Sequence, residues 1–276
     1  MPELPEVETV CRGLNQKTSG LAIMGIEVLL PRILAHPKPP QLFQQQIMGQ
    51  KILHWQRRGK YLLASLERGC LGIHLRMTGK LLWLSQTTPL SHHTRVRLFF
   101  PENNELRFVD TRTFGRWWYC PENTSLESII PGLGKLGVEP LSPDFSSQYL
   151  QERFSKTNRP IKTLLLAQEI IAGIGNIYAD EALFLSGIHP LTPASQLSPP
   201  RLKKLHAAII QVLEKAIMEG GTTFSDFLNI HGVNGNYGGK AWVYRRQNQP
   251  CRICGNPIKK MKVGGRATYF CPQCQK

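Results

Sequence analysis

The chain closes on "CRICGNPIKKMKVGGRATYFCPQC", residues 251–274, in which two Cys-x-x-Cys pairs stand sixteen residues apart. That spacing is the signature of a four-cysteine zinc centre, in which two short knuckles converge on one tetrahedral ion. Cys251, Cys254, Cys271 and Cys274 are therefore expected to hold one structural Zn2+. A centre with four protein ligands has no open position for a substrate, so its task is to fold the hairpin between the knuckles. That hairpin would hold out Lys259, Lys260, Lys262 and Arg266 as a basic prong suited to phosphates. The other cysteines, Cys11, Cys70 and Cys120, stand among apolar residues and read as reduced core residues.

The prong belongs to a basic chain. The 276 residues carry a formal charge of +15 and a pI of about 9.7, and residues 201–276 alone hold +10 of it. Such an excess calls for a polyanionic partner, either nucleic acid or an anionic membrane surface. No apolar run approaches the roughly 20 residues of a membrane span, and no charged-then-apolar leader opens the sequence. A cytoplasmic protein with no membrane partner is expected, acting as a monomer. The 41% apolar content suffices for packed cores in two or more domains.

Working back from the hairpin, "RPIKTLLLAQ", "NIYADEALFLSG" and "SPPRLKKLHAAIIQVLEKAIMEGG" have helical periodicity, the last opening behind Ser198 and ending at Gly220-Gly221. Residues 222–239 are rich in Gly and Asn and read as a mobile loop. Residues 121–147, rich in Pro, Gly and Ser, read as a linker. Before it, residues 22–120 contain short segments rich in Val, Ile, Leu and aromatics, punctuated by Gly59, Gly69, Gly79 and Asn103-Asn104. They predict an antiparallel sandwich or barrel. Val7, Val10, Cys11 and Leu14 recur at helical spacing, which predicts a helix over residues 5–18 with Pro5 and Glu6 in its first turn. The fold class is α+β, with domains expected at 1–135, 136–235 and 236–276.

Several short motifs carry candidate chemistry. Pro2, if Met1 is removed, would offer a secondary amine with a pKa near that of an α-amino group, roughly 7.7 to 8.0, able to form an iminium with a sugar aldehyde. "AGIGNIYADEALF", residues 172–184, sets glycines and Asn176 before a helix, either as an anion site for a DNA phosphate or as an ordinary capped turn. "HLRMTGKL" and "DTRTFGR" each put a large apolar residue beside basic ones. An enzyme that draws a base out of the stack must fill the gap it leaves, and Met77, Arg112 and Phe114 could do so. Lys60, in "RRGKYLL", is by default a surface charge.

Together these stretches resemble the formamidopyrimidine-DNA glycosylase family. "MPELPEVETV", "RRGKYLL", "HLRMTGKL", "DTRTFGR", "GIGNIYADEALF" and the terminal cysteine segment stand in the family's order across nearly the whole length. The resemblance implies an N-terminal antiparallel β-sandwich with an N-terminal helix, a helix-two-turns-helix domain and a C-terminal zinc finger. It implies double-stranded DNA with oxidised bases as partner, excision of oxidised purines, and strand cleavage at the abasic site. Pro2 is implied as the nucleophile that forms a Schiff base, Glu3 as the proton donor, Lys60 in phosphate binding and β-elimination, and Arg266 in δ-elimination. His93, Arg112, Asn176, Lys162 and Thr157 are implied as DNA contacts.

Arg245 stands where the family commonly has Gly, Gln249 where Glu is frequent, and Gly265 where Gln is usual, which leaves base preference open. Two other readings compete. An endonuclease VIII-type enzyme would act on oxidised pyrimidines, and a non-enzymatic zinc-finger protein would bind DNA without explaining Pro2, Glu3 or Lys60.

Overall fold

The computed structural model describes residues 1–222 and 228–276. It divides into two compact units, residues 1–134 with 219–236, and residues 135–218 with 237–276.

The first unit opens with α1 (Leu4–Thr18), whose Val7, Val10, Cys11 and Leu14 are all buried, as the spacing predicted. Its strands are β1 (Gly25–Val28), β2 (Leu34–His36), β3 (Ile52–Arg58), β4 (Tyr61–Leu66), β5 (Cys70–His74), β6 (Lys80–Ser85), β7 (Thr94–Phe100), β8 (Asn104–Val109) and β9 (Arg116–Cys120), with α2 (Pro40–Ile47) between β2 and β3. They form a four-stranded sheet, β1-β7-β8-β6, and a five-stranded sheet, β2-β9-β5-β4-β3. Pairing is antiparallel except between β2 and β9, which run parallel. One apolar core joins both sheets, with Val96, Leu98 and Phe108 from the first, Leu62, Ile73 and Trp117 from the second, and Leu14 from α1. The rings of Phe108 and Trp117 meet edge-on at 5.6 Å, an arrangement that adds to their burial.

Alternation is clean in β7, where Thr94, Val96, Leu98 and Phe100 are buried and the residues between them are partly exposed. It is absent from β9, whose last four residues, Trp117 to Cys120, are all buried. The expected linker holds a short helix, α3 (Leu126–Ile129), and Ile130 from its end is buried in this unit.

Residues 223–227, inside the expected mobile loop, lie outside the described residues. Within the described part of 219–236, residues 231–234 are exposed while Ile230 packs into the core. Ile230 is 1% exposed, its carbonyl accepts from the Trp83 amide at 2.8 Å, and its side chain fills the space a Cβ on Gly13 would need.

The second unit contains α4 (Ser147–Phe154), α5 (Ile161–Leu165), α6 (Asn176–Ser186), α7 (Pro199–Met218), α8 (Tyr237–Lys240) and the hairpin β10 (Lys259–Val263) and β11 (Arg266–Phe270). α7 buries Leu202, Leu205, Ile209, Val212 and Leu213 along one face. α6 ends on Gly187, whose φ of 70° supplies the left-handed stop. No helix among the described residues is long and apolar enough to cross a membrane.

Candidate active site and nucleic-acid interface

In the first unit, Pro2 and Glu3 are both buried, and Glu3 is the N-cap residue of α1. The Glu6 carboxylate holds this turn. Its Oε2 accepts from the Glu3 amide at 2.8 Å and its Oε1 from the Thr222 amide at 2.9 Å.

α1 is laid against β3 by a ladder of side-chain bonds. Asn15 exchanges two bonds with the Trp55 backbone, at 2.8 and 2.7 Å, and Glu8 pairs with Arg57 at 2.9 Å. The Gly20 amide bonds Ile52 O. As residue numbers fall from 20 to 8, their partners rise from 52 to 57, so the register carries Pro2 and Glu3 toward the turn of Gly59 and Lys60.

Lys60 is 7% exposed, in contrast to its default reading as a surface charge. It follows Gly59, whose φ of +55° makes the tight turn. Opposite Tyr61 in the sheet stands His74, also 7% exposed and with its ring edge-on to Tyr61 at 4.6 Å. The Arg76 amide donates to His74 Nδ1 at 3.0 Å, so the proton of the neutral ring is on Nε2. Burial first, then the charges of Arg76 and Lys60, push its pKa down to about 3. His74, which opens the "HLRM" motif, is a buried titratable residue near Lys60 and Arg76 that sequence reading passed over.

Met77, Arg112 and Phe114 are exposed on two loops tied together by a fully buried carboxylate, Asp110. Thr78 Oγ1 donates to Asp110 Oδ1 at 2.5 Å, the Arg112 amide to the same oxygen at 3.2 Å, and the Gly115 amide to Oδ2 at 2.8 Å. Gly79 and Gly115 both lie on the Phe108 ring, so close that a Cβ at either position would clash with it. The Arg112 guanidinium sits over the Phe114 ring at 4.9 Å, an attractive cation–π geometry. His93 joins the same assembly, since its carbonyl accepts from the Asp110 amide at 3.0 Å and its Nδ1 lies 3.2 Å from Arg95 Nη2. Desolvation, His92 and Arg95 lower its pKa.

In the second unit, Asn176 begins α6, and its Nδ2 donates to the carbonyl of Ala267 in β11 at 2.8 Å. Arg266, beside that carbonyl, is exposed, and Thr157 is half-buried with its hydroxyl accepting from the Arg159 amide at 3.3 Å. Lys162, expected as a DNA contact, is 0% exposed and ion-paired with the equally buried Asp180 at 2.7 Å. Its ammonium is thus occupied inside the protein. Burial raises the Asp180 carboxyl above the usual range, and Lys162 pulls it part of the way back.

Neighbouring Glu181 is fully buried and accepts the successive amides of Trp242, Val243 and Tyr244 at 2.7 to 2.9 Å. α6 therefore carries two adjacent carboxylates, Glu181 fastening the segment before the zinc finger and Asp180 the hairpin within it.

The four cysteine sulfurs lie within 4.8 Å of one another, with Cys251 to Cys274 at 3.8 Å and Cys254 to Cys271 at 3.4 Å. A tetrahedron of Zn–S bonds of about 2.3 Å has edges of about 3.8 Å, so the cluster fits one structural zinc once its widest separation closes by about 1 Å. Hydrogen bonds from Asn256 lower the Cys254 thiol, whereas burial raises Cys271 and Cys274.

Three family models match in chain order. They are the formamidopyrimidine-DNA glycosylase N-terminal domain over residues 1–117, the H2TH domain over 136–227, and the zinc finger found in FPG and IleRS over 248–276.

The chain belongs to the formamidopyrimidine-DNA glycosylase family.

Curated members of this glycosylase family from Rippkaea orientalis and Crocosphaera subtropica are 59% and 60% identical to the chain, over all of it and over 100% and 98% of their own lengths. Among solved structures, the Lactococcus lactis glycosylase in complex with abasic-site DNA matches with a TM-score of 0.91 at 35% identity, over 99% of both chains. The same protein with oxidised-pyrimidine DNA matches at 0.91 and 36%, over 100% of both. A member of this family is a base-excision DNA glycosylase, and the α+β fold and the structural zinc both accord with that membership.

Proposed function

We propose that this chain excises oxidised purines, chiefly 8-oxoguanine and ring-opened formamidopyrimidines, from double-stranded DNA and then cuts the strand at the abasic site. The observation that carries this is the adjacency of buried Pro2 and Glu3 at the fastened start of α1, in a register that runs toward Lys60. With Met1 removed, the Pro2 amine attacks the sugar C1′, the C1′–base bond breaks, and the Glu3 carboxyl protonates the departing base. The Glu3 carboxylate then takes the proton from the Pro2 nitrogen and delivers it to the ring oxygen as the C1′–O4′ bond breaks and the iminium closes. Loss of a proton from C2′ expels the 3′ phosphate, and loss of one from C4′ expels the 5′ phosphate. Lys60 and Arg266 supply positive charge to these departing phosphates.

Met77, Arg112 and Phe114, exposed on the two loops that Asp110 joins, fill the gap in the stack and meet the orphaned base. His93, Asn176 and Thr157 contact the backbone. Oxidised pyrimidines form a second substrate class to be measured, because a solved relative has been captured on DNA containing one. Single-turnover base release from 8-oxoguanine and thymine glycol duplexes tests the assignment. Faster release of the oxidised purine is expected, with a large loss in Glu3→Gln, whereas faster release of the glycol would reverse the substrate assignment.

A further inference from the structure

We propose that Asp180, acting through Lys162, is a positioning residue for Arg266, and that this buried pair sets how far the enzyme carries strand cleavage past the first elimination. The inference rests on the reading of Arg266 as the group that serves the second one.

The pair pins three successive residues of β11. Lys162 Nζ donates to Ala267 O at 3.0 Å and to Thr268 Oγ1 at 2.7 Å, while Asp180 Oδ2 accepts from the Tyr269 amide at 2.9 Å. Thr268 Oγ1 in turn donates to the carbonyl of Arg266 at 3.2 Å. A continuous chain of bonds thus runs from Asp180 through Lys162 and Thr268 to the backbone of Arg266. Both charged residues are 0% exposed, so neither can reach a ligand, and their influence must pass through the hairpin.

Zinc cannot do this work alone. Arg266 opens β11 and Cys271 follows the strand's last residue, so at about 3.4 Å per residue the metal grips the hairpin about 17 Å from Arg266. A two-stranded hairpin is marginally stable by itself. The ion pair holds the far end, helped by Asn176 on Ala267 O at 2.8 Å. α5 also abuts the turn, where a Cβ on Gly264 would lie 2.9 Å from Thr163 Cγ2.

The test compares wild type, Arg266→Ala, the double variant Lys162→Met/Asp180→Leu, and Thr268→Val on an 8-oxoguanine duplex and a preformed abasic-site duplex. Replacing a buried ion pair by apolar residues of similar volume commonly preserves folding, and Thr268→Val breaks the bond chain without burying a charge. Zinc content, base release and the ratio of δ- to β-elimination product are read together.

The double variant is expected to keep one zinc and near-normal base release. Its product ratio should fall toward that of Arg266→Ala, since a misplacement on the order of 1 Å costs on the order of 100-fold. Thr268→Val should shift it less, in the same direction. An unchanged ratio in the folded, zinc-loaded double variant overturns the proposal, as does an unchanged ratio in Thr268→Val if the double variant does not fold. A normal ratio in Arg266→Ala would instead remove the role of Arg266 on which the proposal rests, and base release would show that failure to be separate.

Discussion

Replacing Glu6 by glutamine puts an amide nitrogen where an oxygen now accepts from a backbone N–H. The carboxylate is 2% exposed and receives the Glu3 amide at 2.8 Å and the Thr222 amide at 2.9 Å. It has little room to turn away, because a Cβ on Gly221, at φ +84°, would already be 3.0 Å from Glu6 Cγ and Oε1. Glutamine can serve only one of the two amides, and the other is left facing a donor. Losing one hydrogen bond to a buried charged acceptor costs about 1.5–3 kcal/mol.

Glu6→Gln should therefore lower the urea stability of the first unit by about 2–3 kcal/mol, read by tryptophan fluorescence, since Trp55, Trp83, Trp117 and Trp118 all lie in that unit. Single-turnover base release should fall more than stability does, because Pro2 and Glu3 lose the bond that aims them. Arg12→Gln is the control. The Arg12 side chain is 64% exposed and pairs with Glu8 within α1, where such surface pairs are worth about 1 kcal/mol or less. Wild-type stability and rate in Glu6→Gln, or equal losses in both variants, would refute the positioning argument.

Three further outcomes are expected. His74 has a folded pKa near 3 against an unfolded value of about 6.5, so the stability it contributes is complete above pH 6.5 and lost as pH falls from there toward 3. Between pH 8 and 5 this amounts to about 2 kcal/mol, and denaturation of His74→Gln should show a correspondingly flatter acid limb; an identical pH profile would place the titration elsewhere. Arg245 holds a left-handed φ of 59°, so Arg245→Gly should stabilise the fold by about 1 kcal/mol. A loss of stability on calorimetry would contradict the strain. Removing zinc should unfold the hairpin and abolish strand cleavage, with metal analysis finding one ion per active chain; full activity in a metal-free sample would contradict its structural role.

Most of the architecture was legible because it rests on periodic burial. α1 and α7 declare one apolar face each, and β7 alternates because its sheet is covered on one side. β9 lacks that signal, as Trp117 to Cys120 are all buried, and its first residue closes the "DTRTFGR" motif that drew the reading toward function. The cysteine pairs were legible because zinc fixes both ligand type and spacing.

What stayed hidden depends on partners distant in sequence. Lys162 looks like any surface lysine until Asp180 is folded against it. Asp110 and Glu6 bind backbone amides, which leave no mark on the sequence of their partners. Ile230 stands in a Gly- and Asn-rich stretch whose composition suggests mobility, yet the notch at Gly13 receives it.

The central claim is that Pro2 is the nucleophile, and borohydride trapping on an 8-oxoguanine duplex addresses it directly. With the chain processed to begin at Pro2, a covalent adduct should form and map by peptide mass to the N-terminal residue, and Pro2→Gly should lower its yield. No adduct, or an adduct mapped to a lysine with Pro2→Gly trapping as well as wild type, would contradict the mechanism.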